Sequence, residues 1–281
     1  MVGDGASLPE EVLEDVAYLS RSANRLRILD VIATAPHIPR AIADETDIPP
    51  IDPSADISRD RRTRLGRADP RRRVRSDANG RVVAAETERY IGAIRTIRAL
   101  GDAVAWLPTE ELTIGLQHFS EATVRRPEPN ATMALSTFAS ELMREATELA
   151  CLVNIPPSLA FEEAMMNGVF NGRLRTEHVI AEGELAVLGE NAERASRWQA
   201  YVEAGADLYC YDGPIPCNLL VIDETVLVLD RQPEAAEGIE STNAVVQSWA
   251  HEMIEDHRED AERLGTSAFA QESIDVTDND Q

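Results

Sequence analysis

Residues 18–29 read YLSRSANRLRIL and residues 38–49 read IPRAIADETDIP, and these two stretches decide the fold of the amino-terminal part. In the first, apolar residues recur at helical spacing behind three arginines. In the second, a break at His37–Pro39 precedes Arg40–Thr46, which predicts a short helix. A further short helix opens just before the first stretch. We therefore expect three helices within Glu11–Pro49, the last two joined by a turn, as in the first half of a helix-turn-helix unit.

The segment 50–79 interrupts this pattern where a base-reading helix should follow. It opens with two prolines, Pro50 and Pro53, which disfavour a helix because a proline in a helix interior removes a hydrogen bond and clashes with the preceding turn. The segment holds nine arginines, all in Arg59–Arg75, against five aspartates, so it carries +4 in a chain of net charge −23. Its apolar residues follow neither helical nor strand spacing. We predict an irregular, arginine-rich segment in which the recognition helix and the wing are disrupted.

Two interpretations of this segment stay open. It could be a disordered basic arm that becomes ordered on phosphates. Alternatively, residues 50–79 are encoded out of frame, because a GC-rich gene translated in a shifted register yields arginine, aspartate, proline and alanine without periodicity. Translating the gene in its other two frames tests the second interpretation. If it holds, DNA binding by this copy is lost.

Regular patterning returns near Gly80 and predicts a linker helix over residues 81–108. Apolar residues recur there at multiples of three and four residues, namely Val83, Tyr90, Ile94, Ile97, Val104 and Leu107. Such a helix is long enough to pair with its twin from another subunit, which predicts a homodimer. It could equally pack against its own domain.

The second domain is predicted over residues 109–264, where strands alternate with helices. Predicted strands lie at Leu149–Asn154, Arg175–Ile180, Asp207–Tyr211, Leu219–Asp223 and Thr225–Asp230, and predicted helices at Ala131–Glu148, Ser158–Asn167, Glu190–Ala204 and Ser241–Arg263. This alternation favours a mixed α/β sheet with a hairpin at Asp223-Glu224. The acidic tail 265–281 is predicted to be disordered. The expected fold class is thus a two-domain α+β or α/β protein: a helical head over 1–80, the linker helix, and the mixed α/β domain.

Composition places further limits on the protein. The chain has 27 basic residues, all of them arginines, and 50 acidic residues. An acidic composition without lysine is typical of proteins from a haloarchaeal cytoplasm of high salt. The amino terminus does not resemble a signal peptide, and no apolar run reaches the ~18 residues of a membrane span. We therefore expect a soluble, cytoplasmic protein with no membrane contact. Three cysteines without a CxxC pair support neither a disulfide framework nor a zinc ribbon.

The chain resembles a family of haloarchaeal transcriptional regulators with a winged helix-turn-helix head and a carboxy-terminal sensor domain of the kind found in archaeal methanogenesis regulators. It is distantly similar to the sugar-responsive TrmB-type regulators. The resemblance rests on Leu26–Leu29 and Ala41–Pro49 at the front, and on Leu208–Pro216 and Leu219–Asp223 at the back. It implies double-stranded DNA as a partner, an unidentified small-molecule effector, and a response to a ligand or a protein partner.

Arg21, Arg25, Arg27 and Arg40 are the candidate DNA-binding residues. Arginines flanking a helix-turn-helix can contact phosphates and so position the head on the duplex. In a chain whose basic residues are all arginine, the same four would also be expected as ordinary surface residues.

The candidate ligand-binding residues lie at a strand end. Tyr209, Tyr211 and Asp212 leave a predicted strand next to a tight turn, as residues at the rim of a pocket do. His178, on another predicted strand, could face the same space. Alternatively, the sequence at Asp212 forms a turn and nothing more.

Motifs of enzymes and cofactor sites are missing from the sequence. A chain without lysine has no P-loop, no Schiff-base chemistry and no HxK phosphodiesterase motif. His251 and His257 are six residues apart rather than the four of a zincin helix. We therefore predict a protein that is not an enzyme and has no cofactor and no metal. Two alternatives remain: a sensor or dimerisation protein that has lost DNA binding, and an α/β hydrolase with Asp212 as its best catalytic candidate.

Overall fold

The computed structural model describes residues 10–48, 66–68, 74–126, 134–189, 191–229 and 237–269. The chain divides into two compact units, Met1–Gly92 and Ala93–Gln281. The first is mainly helical, and the second contains an eight-stranded mixed sheet. No helix in the described part of the chain is both long enough and apolar enough to cross a membrane.

The first unit begins with three helices, as the sequence predicts: α1 (Glu10–Ser20), α2 (Ala23–Thr34) and α3 (Pro39–Thr46). Proline at the first position of α3 suits a helix start, because its missing N–H would have no partner there. The helix ends at Asp47, whose φ of 56° is left-handed and cannot continue a right-handed helix. The helices share one apolar core, formed by Ile28, Leu29, Val31, Ile32 and Ile42.

The prediction that 50–79 is irregular is wrong where two short strands form, and again at Ala78 and Asn79, where a helix begins. Strands β1 (Gly66–Ala68) and β2 (Val74–Ser76) pair antiparallel, with Arg67 opposite Arg75. Strands of three residues are too short to show the alternation from which a strand is recognised, so the sequence pattern missed them. The recognition helix predicted to be disrupted, and the rest of 50–79 up to Arg73, lie outside the described residues.

The long helix differs from the predicted linker 81–108 at both ends. Helix α4 spans Ala78–Leu100, and a 3₁₀ helix follows at Gly101–Trp106. Asp77 sets the start, because its Oδ1 accepts a hydrogen bond from the backbone N–H of Gly80 at 2.9 Å. Gly101 sets the end, because its φ of 57° turns the chain out of the helix. The boundary between the two compact units falls inside α4, after Gly92, rather than at residues 80 and 108.

The second unit is built on one sheet. Its strands are β3 (Thr123–Arg125), β4 (Glu148–Val153), β5 (Arg175–Ala181), β6 (Asp207–Tyr211), β7 (Asn218–Ile222), β8 (Thr225–Leu229), β9 (Gly238–Ser241) and β10 (Glu262–Arg263). They lie in the order β10-β6-β5-β4-β7-β8-β9-β3. Strands β4, β5 and β6 are parallel, and every other neighbouring pair is antiparallel. The predicted mixed sheet with a hairpin between β7 and β8 is confirmed.

Helices cover both faces of this sheet. The first-face helices are α5 (Ala134–Glu145), α6 (Leu159–Phe170), α7 (Glu182–Gly189) and α8 (Ala192–Glu203), and α9 (Ala244–Glu259) packs on the second face. Alternating residues of each strand supply the two cores: on β4, Cys151 belongs to the first-face core and Leu152 to the second-face core. Neighbouring residues of one strand therefore lie in different cores, one on each face of the sheet.

The structure also corrects the prediction of a disordered tail from residue 265. Thr266–Phe269 forms a 3₁₀ turn, and the ring of Phe269 stacks on that of Trp198 with centroids 6.3 Å apart. An aromatic ring that buries its area against a core residue offsets the entropy cost of ordering a short segment. Composition alone does not reveal this contact, because it depends on a partner about seventy residues away. Residues 270–281 lie outside the described part.

Candidate functional site

The second unit contains a cavity of about 440 Å³ between the first face of the sheet and its covering helices. It lies toward the carboxyl ends of the parallel strands, with Val153 of β4 and Ile180 of β5 in its wall. Open α/β sheets bind their ligands at this end, because the loops after the strands leave room there. Position and size make this cavity the leading candidate for a ligand site.

Most of the cavity wall is apolar, and its polar side chains are few. Helices α5 and α6 contribute residues such as Ala139, Phe161 and Met165, and the central strands contribute Leu220 and Leu227. The side chains with a polar atom are Ser136, Cys151, Ser158, His178, Glu184 and Trp198. The wall therefore favours an apolar molecule whose orientation is determined by a small number of polar contacts.

Four buried side chains form a hydrogen-bonded chain on one side of the cavity. Cys151 Sγ lies 3.1 Å from His178 Nδ1, His178 Nε2 lies 2.9 Å from the hydroxyl of Tyr201, and that hydroxyl donates to Thr176 Oγ1 at 2.9 Å. Because the Tyr201 hydroxyl donates its proton to Thr176, its oxygen accepts a hydrogen bond from the N–H at His178 Nε2. The other ring nitrogen, Nδ1, is then unprotonated and accepts from the Cys151 thiol. This arrangement satisfies the polar atoms with a neutral imidazole and a neutral thiol.

The pKa values of this group agree with the neutral forms. Burial lowers the pKa of His178 to about 4, and the nearby Asp207 opposes this only in part. Burial, assisted by the negative charge of Glu177, raises the pKa of the Cys151 thiol to about 12. Burial also raises the pKa of Tyr201. Near neutral pH the thiolate that a nucleophilic cysteine needs is therefore scarce.

The two serines in the wall are hydrogen-bonded to each other. Ser136 Oγ donates to Ser158 Oγ at 2.6 Å. Ser158 is also the N-cap of α6, because its Oγ accepts from the backbone N–H of Phe161 at 3.3 Å. Both hydroxyls therefore have a structural task at the start of this helix.

Glu184 and Trp198 differ from the other polar residues of the wall. Both are nearly completely buried, and Glu184 Oε1 and Trp198 Nε1 have no hydrogen-bond partner among the described residues. Burial raises the pKa of Glu184 to about 7, with Arg194 lowering it and Glu162 raising it further. A buried donor or acceptor without a partner costs free energy.

An ion pair lies behind Glu184. The carboxylate of Glu162 on α6 is buried and accepts hydrogen bonds from Arg194 on α8, with Nε at 3.0 Å and Nη2 at 2.8 Å. Arg197 lies 3.3 Å from the same carboxylate. The positive charge of Arg194 is thus engaged by Glu162, and Glu184 lacks an ion-pair partner of its own at this distance.

The structure separates the residues predicted to form one ligand pocket. His178 lines the cavity, whereas Tyr209 and Tyr211 point to the second face of the sheet and pack in its core. The ring of Tyr211 contacts that of His257 with centroids 5.0 Å apart. Asp212 is exposed at the end of β6. Tyrosines one and three positions before Asp212 share a face because side chains alternate along a strand, and His178 is in register with Leu208 on the other face.

Of the four candidate DNA-binding arginines, three are exposed and one is held inside the first unit. Arg21 is exposed at the turn before α2, Arg27 on α2 and Arg40 on α3. Arg25 is half-buried; its Nη1 donates to the backbone oxygen of Tyr18 at 2.8 Å, and its guanidinium lies 3.9 Å from the centre of the Tyr18 ring. Arg25 therefore fastens α2 to α1.

Sequence reasoning missed Glu184, Trp198 and Cys151. Glu184 lies on α7, a two-turn helix with no amphipathic period in its sequence, and Trp198 lies in a helix whose inward face could not be assigned to a cavity. Among the described residues no cluster of three or more His, Cys, Asp or Glu side chains could hold a metal ion.

Comparisons with known proteins leave the chain without a family. No protein-family model and no curated protein matches it. Among solved structures it is similar to TrmBL2, described as an archaeal chromatin protein with a novel mode of DNA binding, at 14% identity and a TM-score of 0.42, over 89% of this chain and 99% of that one. It is also similar to Nuc from Salmonella typhimurium, a phospholipase D family member, at 11% identity and a TM-score of 0.40, over 51% of this chain and 99% of that one. At such scores we draw neither fold nor function from these two likenesses.

Proposed function

We propose that this protein is a DNA-binding transcriptional regulator of a haloarchaeal cytoplasm, with a winged helix-turn-helix head in the first unit and a sensor in the second. The head positions the protein on double-stranded DNA, and the cavity of the sensor takes a small-molecule effector. An effector could change the affinity for DNA only if it bound two conformations of the protein with different affinity.

The arrangement of the first unit is the observation that carries the proposal. Helices α2 and α3 are joined by a four-residue connection and share a core in which Ile28, Ile32 and Ile42 are buried. An antiparallel hairpin of β1 and β2 follows them in the chain. These two helices and the hairpin are parts of a winged helix, and the base-reading helix that the sequence would place after α3 falls outside the described residues. Arg21, Arg27 and Arg40 are exposed on the helical part, where they are available to phosphates.

Helix α4 supports the proposal of a homodimer. Val82 and Tyr90, in the part of α4 that belongs to the first unit, are exposed although they are large and apolar. At 100° per residue the two lie about 80° apart around the helix, so they form one face. A second copy of the same helix would cover this face in a parallel or antiparallel pair.

We also propose that the chain is not an enzyme. The cysteine–histidine pair in the cavity is the group that most resembles a catalytic dyad among the described residues. Its thiol has a pKa of about 12 and its imidazole a pKa of about 4, so the pair does not supply the thiolate of an activated nucleophile. His178 is hydrogen-bonded to Tyr201, which in turn donates to Thr176, and these bonds support a structural role.

An electrophoretic mobility shift with the full chain tests DNA binding. The DNA would be the promoter fragment upstream of the protein's own gene, titrated at several KCl concentrations. If Arg21, Arg27 and Arg40 each contact one phosphate, replacing all three by Gln lowers the slope of log K against log salt by about 3. Arg144→Gln, at an exposed position of α5, is the matched control and should leave the slope unchanged.

The outcomes separate the proposal from its alternatives. A lower slope in the triple variant with wild-type stability supports the head as a DNA-binding surface. Failure of the wild type to retard any duplex, at every salt concentration, would refute DNA binding and favour the sensor that has lost it. An equal slope in wild type and triple variant would show that these arginines contact no phosphate.

A further inference from the structure

We infer that the cavity of the second unit binds an uncharged hydrocarbon body, aliphatic or aromatic, and selects it by shape rather than by a polar contact inside the cavity. Such a molecule is the effector class of the proposed sensor, and in that respect the inference rests on the proposed function. The class follows from the lining of the cavity, from the state of the polar groups in its wall, and from the place where it opens.

Apolar side chains form most of the wall. Helices α5 and α6 contribute Ala139 and Phe161, and the central strands contribute Leu220 and Leu227. Apolar cavities of about 150 Å³ take up a molecule of the size of benzene. The present cavity has a volume of about 440 Å³, so it has room for a hydrocarbon that is larger than benzene.

Four of the polar side chains in the wall are engaged with the protein itself. Cys151 Sγ lies 3.1 Å from His178 Nδ1, and the other ring nitrogen lies 2.9 Å from the hydroxyl of Tyr201. Ser136 donates to Ser158 at 2.6 Å. A polar ligand that used these groups would have to break hydrogen bonds that the protein already makes. They therefore contribute shape to the site rather than recognition of a polar group.

The two remaining polar side chains of the wall do not offer a ligand their unpaired atoms. Glu184 Oε1 and Trp198 Nε1 lack a hydrogen-bond partner among the described residues, but each has less than 1 Å² of accessible surface. The two residues as a whole expose 3% and 2% of their surface. A ligand inside the cavity has no access to these two atoms, and it cannot be anchored by them.

Polar and charged occupants are disfavoured in this space. A buried water is held by about three hydrogen bonds, and a polyol needs a partner for each hydroxyl, whereas the donors and acceptors of this wall are engaged or inaccessible. No arginine is among the described residues that line the cavity, and the guanidinium of Arg194 is held by Glu162. An ion would therefore be buried without a partner, at a far larger cost in free energy.

The cavity opens beside the loop that follows β4. The lining residues of this loop keep accessible surface, with Ile155 half-buried and Pro156 exposed, whereas Met165, Leu188 and Leu227 are buried. A hydrocarbon that enters past the loop leaves water for an apolar interior. A polar group on such a molecule keeps its hydration only if it stays at this opening.

Isothermal titration calorimetry of the full chain, in molar KCl and without DNA, tests the binding of toluene, ethylbenzene and propylbenzene. We expect saturable binding at one molecule per chain. The affinity should rise about fourfold with each added methylene, which corresponds to about 0.8 kcal/mol for its burial. The binding enthalpy should become more negative as the temperature rises, because burial of apolar surface lowers the heat capacity.

A second pair of probes has nearly the same shape and differs in polarity: para-diethylbenzene and para-bis(hydroxymethyl)benzene. In the diol a hydroxyl replaces each terminal methyl group, so one hydroxyl enters the cavity whichever end leads. This hydroxyl loses its hydrogen bonds to water and finds no free partner in the wall. The diol should therefore bind at least about tenfold more weakly than the hydrocarbon.

Variants of helix α5 locate the site. Ala139→Phe fills the cavity and should abolish the binding of propylbenzene, whereas Thr137→Phe, on the exposed side of the same helix, should preserve it. Ala139→Leu adds less volume and should weaken the binding of propylbenzene more than that of toluene. If circular dichroism shows that Ala139→Phe does not fold, the shift in preference caused by Ala139→Leu gives the test.

Several outcomes would overturn the inference: no saturable binding of any hydrocarbon, equal affinity for the diol and its hydrocarbon counterpart, or wild-type binding by a folded Ala139→Phe. Because the titration contains no DNA, its failure is distinct from failure of the mobility shift. Binding of propylbenzene that leaves the affinity for DNA unchanged would retain the ligand site and remove its proposed part in regulation.

Discussion

Replacing Glu184 by Gln should change how the stability of the second unit depends on pH. The carboxyl group is buried on α7, and burial raises its pKa from 4.5 to about 7. The folded state therefore favours the protonated carboxyl group. In the unfolded chain the same group loses its proton with the ordinary pKa of 4.5. Glutamine has a similar shape and cannot ionise, so Glu184→Gln removes this titration while keeping a polar group in place.

The magnitude follows from the linkage between protonation and folding. A rise of this pKa from 4.5 to about 7 on folding corresponds to about 2 kcal/mol once partial screening by solvent is allowed for. This stability is present in the wild type below the unfolded pKa of 4.5 and is lost as pH rises through 7. The stability of Glu184→Gln relative to the wild type should therefore increase by about 2 kcal/mol between about pH 4.5 and about pH 8. Because burial is the largest cause, molar KCl should reduce this change only in part.

The stability of the variant is compared with that of the wild type at each pH because the pKa of His178 changes on folding in the direction opposite to that of Glu184. Its pKa falls from 6.5 to about 4, so it contributes stability above pH 6.5 that is lost as pH falls through 4. In the wild type the two effects oppose each other between pH 4.5 and 6.5. Subtracting the wild-type curve removes the contribution of His178, which both proteins share.

Urea unfolding at fixed KCl, followed by tryptophan fluorescence, measures the effect. All three tryptophans, Trp106, Trp198 and Trp249, lie in the second unit, so the signal reports that unit. Glu182→Gln, at an exposed position on the same helix, is the matched control and should show no comparable change. If the curves of Glu184→Gln and the wild type stay parallel across this pH range, the carboxyl group is not held in its neutral form by burial and the reasoning is wrong.

Three further predictions concern the core around the cavity. Tyr201→Phe leaves His178 without the oxygen that accepts its N–H and should lower the free energy of unfolding by about 1–3 kcal/mol, measured by urea unfolding at neutral pH; an unchanged midpoint would contradict the hydrogen-bonded chain. Phe269→Ala removes a ring with only 4% of its surface exposed and should cost about 3–5 kcal/mol in the same assay, whereas a change below about 0.5 kcal/mol would show that the turn at 266–269 does not pack on the core. A thiol reagent applied to the native protein should label Cys210, which is partly exposed, much faster than the buried Cys151, and peptide mapping that found equal rates would disprove the burial of Cys151.

Local patterns were sufficient to predict many elements of the fold. Strand β6 begins and ends where the alternation at Asp207–Tyr211 predicts, and β4 and β5 deviate by about one residue. Helices α2 and α3 follow from apolar spacing and from the break at His37–Pro39. These elements are predictable because their hydrogen bonds close within the element or with a strand of similar pattern, so spacing in the chain reports them directly.

Short elements and aromatic contacts were beyond such patterns. The three-residue strands β1, β2 and β3 have no measurable period, and β10 has two residues. Phe269 lies in a segment whose acidic composition predicts disorder, yet its ring is buried because it stacks on Trp198. In each case a partner from elsewhere in the chain overrides the local preference.

What the sequence by itself determined is the arginine-only, acidic composition, the succession of helices and strands, and the presence of apolar residues on both sides of the central strands. Only the tertiary structure decided which of those sides closes over a cavity. It placed His178 in that cavity and the two tyrosines of β6 on the opposite face, and it buried both Glu184 and Trp198. The alternation of side chains along a strand predicts that neighbouring residues lie on opposite faces of the sheet. Burial, pKa and the lack of a hydrogen-bond partner depend instead on side chains that the fold brings together from distant positions.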